Sequence, residues 1–347
     1  MTMSSNSSTP VDPEIAEVFS RFFDGKPVSA ETIDTGRGEE DFRNTVIVTT
    51  DRNEKYVLKI VSNDFTCPGR IRMWKRTVGE YRDLGYYCPR IYEDRDGTFP
   101  EIRYQGHPCV VYAEEFSRYG TLEDRTADGG NGTDSGAYAK EIWSMTAKIA
   151  AKRLDYTEYP SAYCLFDTFS PGDRTDEVLE NALEWKKTAE ALPEEFAPQV
   201  RRIWETWRAN REALEGIYRS LPTSAFQADL NATNLLVDEE GGFRGVCDFN
   251  LAGKDVFLNY LMRENFGDFE REIDLIREAL RIACGYYVFS EEEKAAALPL
   301  YRCLKPLWFI RTEDLKEAGT DPEKIRRCLD RTEYYLTEEI DFVGYMG

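Results

Sequence analysis

The 347-residue sequence has a single histidine, no long uncharged apolar run and fewer basic than acidic residues. Its single histidine, His107, excludes any mechanism that needs two imidazoles, and the Gly-His-Pro context predicts a structural role for it. No window approaches the roughly 18 uncharged apolar residues of a membrane span, and the Ser/Thr-rich start lacks the apolar core of a signal peptide. We therefore expect a cytoplasmic protein.

Cysteine usage and net charge exclude two further kinds of site. The eight cysteines are scattered singly, without a C-x-x-C pair, so we expect small buried thiols rather than a zinc site. The chain carries 44 Lys and Arg against 64 Asp and Glu, a net charge of −20, and shows no basic stripe. Because this field would repel a phosphate backbone, we expect no nucleic-acid partner, whereas a cationic substrate would be attracted.

Composition and local patterning predict an α+β protein with a small sheet domain followed by a helical domain. Hydrophobic residues make up 41% and charged residues 31% of the chain, which is typical of a globular protein. Apolar spacing and β-branched runs predict the elements of the first domain. They are a helix over 13–23, a hairpin of 44–50 with 55–60, a helix over 71–84, and strands over 88–92 and 108–112.

Helical periodicity dominates beyond Phe116, after a Gly- and Asp-rich stretch at 127–137 that predicts a loop. One β-hairpin interrupts the helical pattern, with strands over 234–237 and 243–247 around a Gly-containing turn. Since a lone hairpin has no sheet of its own to complete, we expect it to carry functional residues.

Polar residues stand at both ends of that hairpin. Asp229 and Asn234 lie five positions apart in a tight loop before the first strand, and Asp248 follows the second strand. Antiparallel pairing brings Asn234 and Asp248 to the same end of the hairpin. Hard oxygen ligands there suit Mg²⁺, which completes its octahedron with phosphate and water. Asp229 is then left to orient or deprotonate a hydroxyl group.

The order D-x-x-x-x-N, strand, Gly turn, strand and D-F resembles the catalytic segment of the aminoglycoside phosphotransferase and choline kinase family, the small-molecule relatives of protein kinases. The resemblance is most specific over 226–253 and extends over 33–253. This chain has Gln227 where the family pattern opens with histidine. Because that histidine mainly organises the loop in the family, Gln227 is expected to replace it by hydrogen bonding.

The sheet domain carries the family's phosphate-binding features. Lys59, in Tyr-Val-Leu-Lys-Ile, resembles the strand lysine that grips the α- and β-phosphates. The stretch 36–42, with Gly36 and Gly38, resembles the loop that covers the phosphates. By the same resemblance, these residues belong to the nucleotide site.

Two further nucleotide features are assigned by the resemblance. Glu80 is the candidate for the helix glutamate that pairs with the strand lysine in the family, although it lies near the predicted helix end. The run 110–116, apolar and then Ala-Glu-Glu, resembles the linker whose backbone hydrogen-bonds adenine. Ala113 and Glu115 are the candidate adenine contacts.

The resemblance implies a protein-kinase-like fold of two lobes and an ATP- and Mg²⁺-dependent phosphotransferase, with GTP as a second possible nucleotide. Asp229 would be the catalytic base, and Asn234 and Asp248 the metal ligands. Family acceptors are hydroxyl groups of aminoglycosides, macrolides, choline, homoserine or methylthioribose. The expected divisions are a leader and short helix over 1–26, a nucleotide-binding lobe over 27–114, and a helical lobe with the catalytic hairpin and the acceptor site over 115–347.

Two alternatives stay open from the sequence. A pseudokinase, which binds nucleotide or a protein partner with weak or no catalysis, is favoured by Gln227 and by the position of Glu80. A non-kinase acidic binding module is the second alternative. Acidic residues of the helical lobe could bind an amine of the acceptor, although solvation is the default role for each. They are Asp167, Glu264, Asp268, Glu338, Glu339 and Asp341.

Overall fold

The computed structural model describes residues 11–38, 40–127, 135–265 and 269–347, which fall into two compact units. Part of the predicted leader, Glu39 of the glycine loop, most of the predicted loop at 127–137, and Asp268 lie outside the described residues. The units combine distant parts of the sequence. The first contains Met1–Ala137, Ser170–Gly172 and Asp229–Ala252, and the second contains Tyr138–Phe169, Asp173–Ala228 and Gly253–Gly347. The hairpin with the candidate chemistry thus packs with the N-terminal sheet.

The described residues form eleven strands and eleven α-helices, in agreement with the predicted α+β class. The strands are β1 Pro27–Asp34, β2 Phe42–Thr50, β3 Lys55–Ser62, β4 Ile91–Tyr92, β5 Glu101–Tyr104, β6 His107–Glu115, β7 Gly120–Thr121, β8 Thr223–Phe226, β9 Leu235–Val237, β10 Phe243–Val246 and β11 Gly253–Val256. The helices are α1 Pro13–Phe22, α2 Pro68–Asp83, α3 Leu122–Ala127, α4 Ala139–Ala151, α5 Glu177–Glu190, α6 Ala197–Tyr218, α7 Phe257–Arg263, α8 Phe269–Ala283, α9 Glu291–Leu304, α10 Phe309–Ala318 and α11 Pro322–Thr337.

An antiparallel sheet in the order β1-β2-β3-β6-β4, with β5 paired to β6, is the frame of the first unit. Helix α1 begins at a proline and is capped by Asp12, whose carboxylate accepts the N–H of Glu14. Its apolar stripe covers one face of the sheet, where alternate residues of β2, β3 and β6 form a buried cluster. Because side chains alternate across a strand, the residues between them point to the opposite face.

Helix α2 follows β3 and links the sheet to the segment after the hairpin. The ring of Trp74 lies 6.0 Å from the ring of Tyr112 on β6. Near the other end of the helix, Tyr81 packs edge-on against Phe249, with 5.4 Å between ring centroids. All four rings are buried, so α2 fixes the residues that follow the hairpin against the first unit.

The hairpin β9–β10 belongs to a three-stranded sheet in the order β10-β9-β7, so β9 is the central strand. A register shift next to Gly245 lets this strand approach the chain before β4. The Tyr87 N–H donates to the Arg244 carbonyl (2.8 Å), and the Val246 N–H donates to the Tyr87 carbonyl (3.0 Å). A Cβ on residue 245 would lie 1.8 Å from the Tyr87 oxygen, so this junction requires glycine.

The second unit is mostly helical and contains the short pair β8–β11. Asp255 lies on β11, and its buried carboxylate accepts hydrogen bonds from Ser161 Oγ (2.7 Å) and Tyr218 OH (3.1 Å). Helix α6 buries one face, and the indole N–H of Trp207 on that face donates to the Cys303 carbonyl (2.9 Å). No helix in the described part of the chain is long and apolar enough to cross a membrane.

The single histidine packs against an aromatic ring, and the cysteines differ in their burial. His107 begins β6, and its ring stacks on Phe42 with 4.4 Å between centroids, which fits the structural role predicted for it. Half of the cysteines are buried as expected, and the other half are partly exposed. The buried ones are Cys88, Cys109, Cys164 and Cys303.

Candidate active site

A cavity of about 360 Å³ opens in the first unit, between the sheet and the ends of the hairpin. Four residues predicted to carry chemistry line it together: Lys59, Asp229, Asn234 and Asp248. They come from β3, from the loop before β9 and from the residue two positions after β10. Sequence positions almost 190 residues apart therefore meet in one cavity, as the motif order predicted.

The loop before β9 holds the carboxylate of Asp229 in one orientation. The side-chain amide of Asn231 donates to one carboxylate oxygen (3.0 Å). The side-chain amide of Asn234 donates to the other oxygen (3.1 Å) and to the Asp229 backbone carbonyl (2.8 Å). Because both oxygens accept an amide N–H, the carboxylate is fixed where it can accept a proton from a bound hydroxyl.

Asp248 is brought beside Asn234 by the end of the hairpin and has a strained backbone. The Cys247 N–H donates to the Asn234 carbonyl (3.0 Å), which continues the β9–β10 pairing to the cavity. Asp248 has φ 52° and ψ 75°, in the left-handed region. Such a conformation costs a non-glycine residue about 1–3 kcal/mol and is concentrated at functional sites. The strain turns the chain sharply at the residue whose side chain lines the cavity.

The donor set beside Asp248 fits Mg²⁺ as an ion shared with a bound phosphate. The Asp248 carboxylate and the side-chain oxygen of Asn234 are hard oxygen donors among the groups that line the cavity, and the N–H groups of Asn234 are turned to Asp229. Mg²⁺ usually takes one or two protein oxygens and fills its octahedron with water and phosphate. Within the described ranges no group of three or more His, Cys, Asp or Glu side chains could hold a metal ion.

The pKa of Lys59 is raised, although burial alone would lower it. Burial lowers the pKa of its ammonium group, but the charges of Glu114 and Asp248 outweigh burial and raise the pKa above the ordinary value. Glu114 shares a sheet face with Lys59, because β3 and β6 pair Lys59 with Tyr112 and Val57 with Glu114. Burial and the charge of Asp248 raise the pKa of Glu114, despite the opposing effect of Lys59.

Glu80, predicted as the partner of Lys59, is placed differently. It lies half-buried near the C-terminal end of α2, and it is outside the lining of the cavity. The acidic groups that raise the pKa of Lys59 are Glu114 and Asp248, with a smaller effect from Cys247. Glu114 is therefore a carboxylate from the sheet that acts on the lysine, and the pairing of Lys59 with Glu80 stays a prediction.

The predicted glycine loop connects β1 to β2 and borders the cavity. The Gly36 N–H donates to the Asp34 carboxylate (2.9 Å), and a Cβ on Gly36 would lie 2.6 Å from the Asp41 carbonyl. Gly38 has φ 137°, which favours glycine, and nothing lies near its Cβ position. The glycines thus shape a tight loop, while its neighbours Thr35 and Arg37 line the cavity.

Ala113 and Glu115 serve the sheet and do not line the cavity. Ala113 pairs with Leu58 on one side and Tyr92 on the other, and it is fully buried under α1. The Glu115 N–H donates to the Arg90 carbonyl (2.8 Å), and its carboxylate accepts from Tyr87 OH (3.0 Å). The predicted linker at 110–116 is therefore mostly strand β6, whose backbone groups pair with neighbouring strands.

Several cavity residues were not identified from the sequence. Arg43 and Thr45 line the cavity from β2, and Asn231 lines it from the loop before β9. The alternation of β2 opposite Lys59 is the signal that could have found the first two, because its odd-numbered residues share one face. Glu114 stood inside the run assigned to adenine binding and lacked a local signal for its position beside Lys59.

Two of the acidic residues predicted as amine ligands are paired with arginines in the second unit. Glu264 accepts a hydrogen bond from Arg263, and Glu339 accepts one from Arg302 (2.9 Å). Asp167 is exposed, and one of its carboxylate oxygens accepts the N–H of the next residue. The paired carboxylates are less able to attract a cationic acceptor than their sequence positions suggested.

Comparisons with known proteins agree with this geometry. The model of a family described as "Phosphotransferase enzyme family" matches residues 36–259, more than half of the chain. A microcompartment-associated aminopropanol kinase aligns with 94% of this chain and 95% of its own, at 17% identity and a TM-score of 0.53. An amicoumacin kinase in complex with AMP-PNP, Ca²⁺ and Ami aligns with 96% of both chains, at 12% identity and a TM-score of 0.51. A sequence search of curated proteins finds no significant match.

Proposed function

We propose that this chain, which belongs to the phosphotransferase enzyme family, transfers the γ-phosphate of ATP to a hydroxyl group of a small molecule in the presence of Mg²⁺. One observation carries the proposal: a single cavity is lined by a lysine with a raised pKa, an oriented carboxylate, and an amide and a carboxylate whose oxygens could hold Mg²⁺. Phosphoryl transfer relies on positioning and charge neutralisation, and these groups supply both.

Asp229 would act on the acceptor. The hydroxyl oxygen attacks the γ-phosphorus, its proton passes to the Asp229 carboxylate, and ADP leaves with the electrons of the broken P–O bond. The two amide hydrogen bonds to Asp229 support this role, because they hold both carboxylate oxygens in one orientation in the cavity.

Lys59, Asn234 and Asp248 would act on the nucleotide. The raised pKa of Lys59 means that its ammonium group stays charged and can bind the phosphates. Mg²⁺, when held by Asp248 and Asn234, supplies further neutralisation of phosphate charge. The strained backbone of Asp248 supports its assignment as a ligand, since it fixes that carboxylate at the cavity wall.

The acceptor class is proposed from charge. A net charge of −20 favours a cationic acceptor, such as an amino alcohol or an amino sugar with a free hydroxyl group. A nucleotide-binding protein with weak or no catalysis is the alternative that Gln227 favours. Gln227 is fully buried next to β8, where it can organise the loop that leads to Asp229.

The test is acceptor-dependent release of ADP, with ATP and Mg²⁺, across amino alcohols, amino sugars, macrolides, choline and homoserine. The phosphorylated product is identified by mass spectrometry, and Asp229→Asn serves as the control that retains the shape of the site. We expect turnover with at least one acceptor, reduced in Asp229→Asn by about 10²-fold or more. Undiminished turnover in the variant would contradict the role of Asp229, and nucleotide binding without turnover on any acceptor would favour the alternative.

A further inference from the structure

We propose that Arg43 is a second cation for the nucleotide's phosphates and acts beside Lys59. This inference rests on the proposed function of the cavity, and it adds a binding residue from β2 that the sequence motifs did not identify. Three observations support it: the position of Arg43 on the sheet, the hydrogen bonds of its neighbourhood, and its position in the sequence just after the glycine loop.

The sheet register places Arg43 on the cavity face. Strands β2 and β3 pair Thr45 with Lys59 and Arg43 with Val61, so Arg43 lies one residue pair beyond the lysine on the same face. Both side chains line the cavity. The Arg43 side chain is only 15% exposed, so its guanidinium is held at the wall of the cavity rather than in bulk solvent.

Two polar groups on this part of the cavity lack a hydrogen-bond partner in the described part of the chain. Arg43 Nε and Thr45 Oγ1 are buried, and neither has a hydrogen-bond partner among the described residues. Lys59 Nζ adds a third donor group at the same wall. Because buried polar groups in native proteins are nearly always hydrogen-bonded, this pattern fits a ligand that supplies several acceptor oxygens and negative charge. A polyphosphate has both properties.

Asp41 fixes the guanidinium from one side and leaves the Nε free for another partner. Arg43 Nη2 donates to Asp41 (2.7 Å), and Asn63 Nδ2 donates to the second oxygen of that carboxylate (3.1 Å). The charge of Arg43 also reaches Lys59, on whose pKa it has a lowering effect. Two like charges at one wall repel each other, and a bound anion between them removes that cost.

Arg43 follows the glycine loop directly, as the second residue of β2. The glycine-rich signature of protein kinases is G-x-G-x-x-G-x-V. From Gly36 onward this chain has Asp41 at the third glycine and Arg43 at the valine position. The replacement puts a fork of N–H donors, suited to phosphate oxygens, where that signature has an apolar side chain.

Calorimetric dissociation constants for ATP, ADP and adenosine, each with Mg²⁺, test the inference on wild type, Arg43→Met and Arg43→Lys. Arg52→Met is the matched control, because Arg52 is an exposed residue in the turn of the same β2–β3 hairpin. We expect Arg43→Met to weaken the binding of ATP and of ADP by about tenfold or more. Its affinity for adenosine should stay within about twofold of the wild-type value. The ATP affinity of Arg43→Lys should lie between those of wild type and Arg43→Met, since lysine keeps the charge but lacks the planar pair of N–H donors. Arg52→Met should bind all three ligands as wild type does.

Three results would overturn the inference. Unchanged ATP and ADP affinity in Arg43→Met, with wild type binding both, would refute Arg43 as a phosphate ligand while leaving the proposed function intact. Equal losses for ATP and adenosine would mean that Arg43 only supports the loop through Asp41. Failure of wild type to bind either nucleotide would reject the proposed function together with this inference. If Arg43→Met does not fold, the ATP-to-adenosine ratio of Arg43→Lys decides.

Discussion

Lys59 and Glu114 lie on neighbouring antiparallel strands, on the same face of the sheet, and the charge of Glu114 raises the pKa of Lys59. The lysine therefore has a carboxylate neighbour from β6, whereas the family resemblance predicted one from helix α2. Because both residues belong to the sheet, the position of the ammonium group does not depend on the orientation of the helix.

Exchanging the two candidate carboxylates for amides tests this arrangement. We expect Glu114→Gln to raise the KM for ATP by about tenfold, because the buried ammonium loses the strongest charge that holds it. Glu80→Gln should change KM by less than about twofold, since Glu80 does not line the cavity. Steady-state kinetics at varied ATP measure both. A larger effect of Glu80→Gln than of Glu114→Gln would restore the helix residue as the partner.

The contact between the hairpin and the chain before β4 depends on Gly245. A methyl group there would meet the Tyr87 carbonyl oxygen at 1.8 Å, so Gly245→Ala should push the hairpin away from Tyr87 and lower the free energy of unfolding by at least about 2 kcal/mol. Gly79→Ala in helix α2 is the control. Its Cβ meets nothing within 4 Å, and alanine should stabilise the helix by about 0.5–1 kcal/mol. Urea unfolding of both variants measures the difference, and similar stabilities would contradict the close junction.

The two asparagines beside Asp229 should differ in their effect on turnover. Asn234→Ala removes two hydrogen bonds to Asp229 and a proposed metal ligand, so we expect kcat to fall by about 10²-fold or more. Asn231→Ala removes one hydrogen bond to the same carboxylate and should cost about tenfold or less. Turnover with the best acceptor from the panel is the readout. Equal losses in the two variants would argue against a metal ligand at Asn234.

Lys305 predicts a pH dependence of stability in the second unit. It is 1% exposed, lies 3.5 Å from Glu272, and donates to the carbonyls of Arg263 (3.1 Å) and Asn265 (2.7 Å). Burial lowers its pKa from 10.5 to about 8. Between these values the unfolded chain binds more protons than the folded chain, so the contribution of Lys305 to the free energy of unfolding rises with pH.

Comparison with the double variant Lys305→Met/Glu272→Gln isolates this effect. From about pH 7.5 to about pH 9.5, the stability of wild type relative to the variant should rise by about 2 kcal/mol. Urea unfolding at several pH values measures it, and other groups that titrate in this range cancel in the difference. A relative stability of wild type that falls with rising pH would contradict a lowered pKa for Lys305.

The sequence was sufficient for the parts of the fold that depend on local patterns. Helix α1 and the hairpins β2–β3 and β9–β10 follow from apolar spacing and turn residues, and all of them are present. Strand β1 was not predicted. Its residues are mostly exposed, so it lacks the alternation of apolar and polar residues that marks a half-buried strand. The short strands β7, β8 and β11 form by pairing with distant segments, which a local pattern does not encode.

The same distinction explains the candidate site. Asp229, Asn234 and Asp248 are close in sequence and could be placed together from one hairpin. The neighbours of Lys59 depend on the register between β3 and β6, which are separated by some 50 residues, so Glu114 could not be told from Glu80. The run predicted as an adenine linker is mostly strand β6, because β6 continues to Glu115, a boundary that its apolar run did not mark.

The most direct test of the central claim, that this cavity holds ATP with Mg²⁺, needs no knowledge of the acceptor. It is the melting temperature of wild type and Asp248→Asn with ATP alone, with Mg²⁺ alone and with both. We predict that ATP and Mg²⁺ together stabilise wild type more than the sum of their separate effects, and that Asp248→Asn loses this excess while still responding to ATP alone. An identical response of the two proteins, or no response of wild type to ATP with Mg²⁺, would contradict the account.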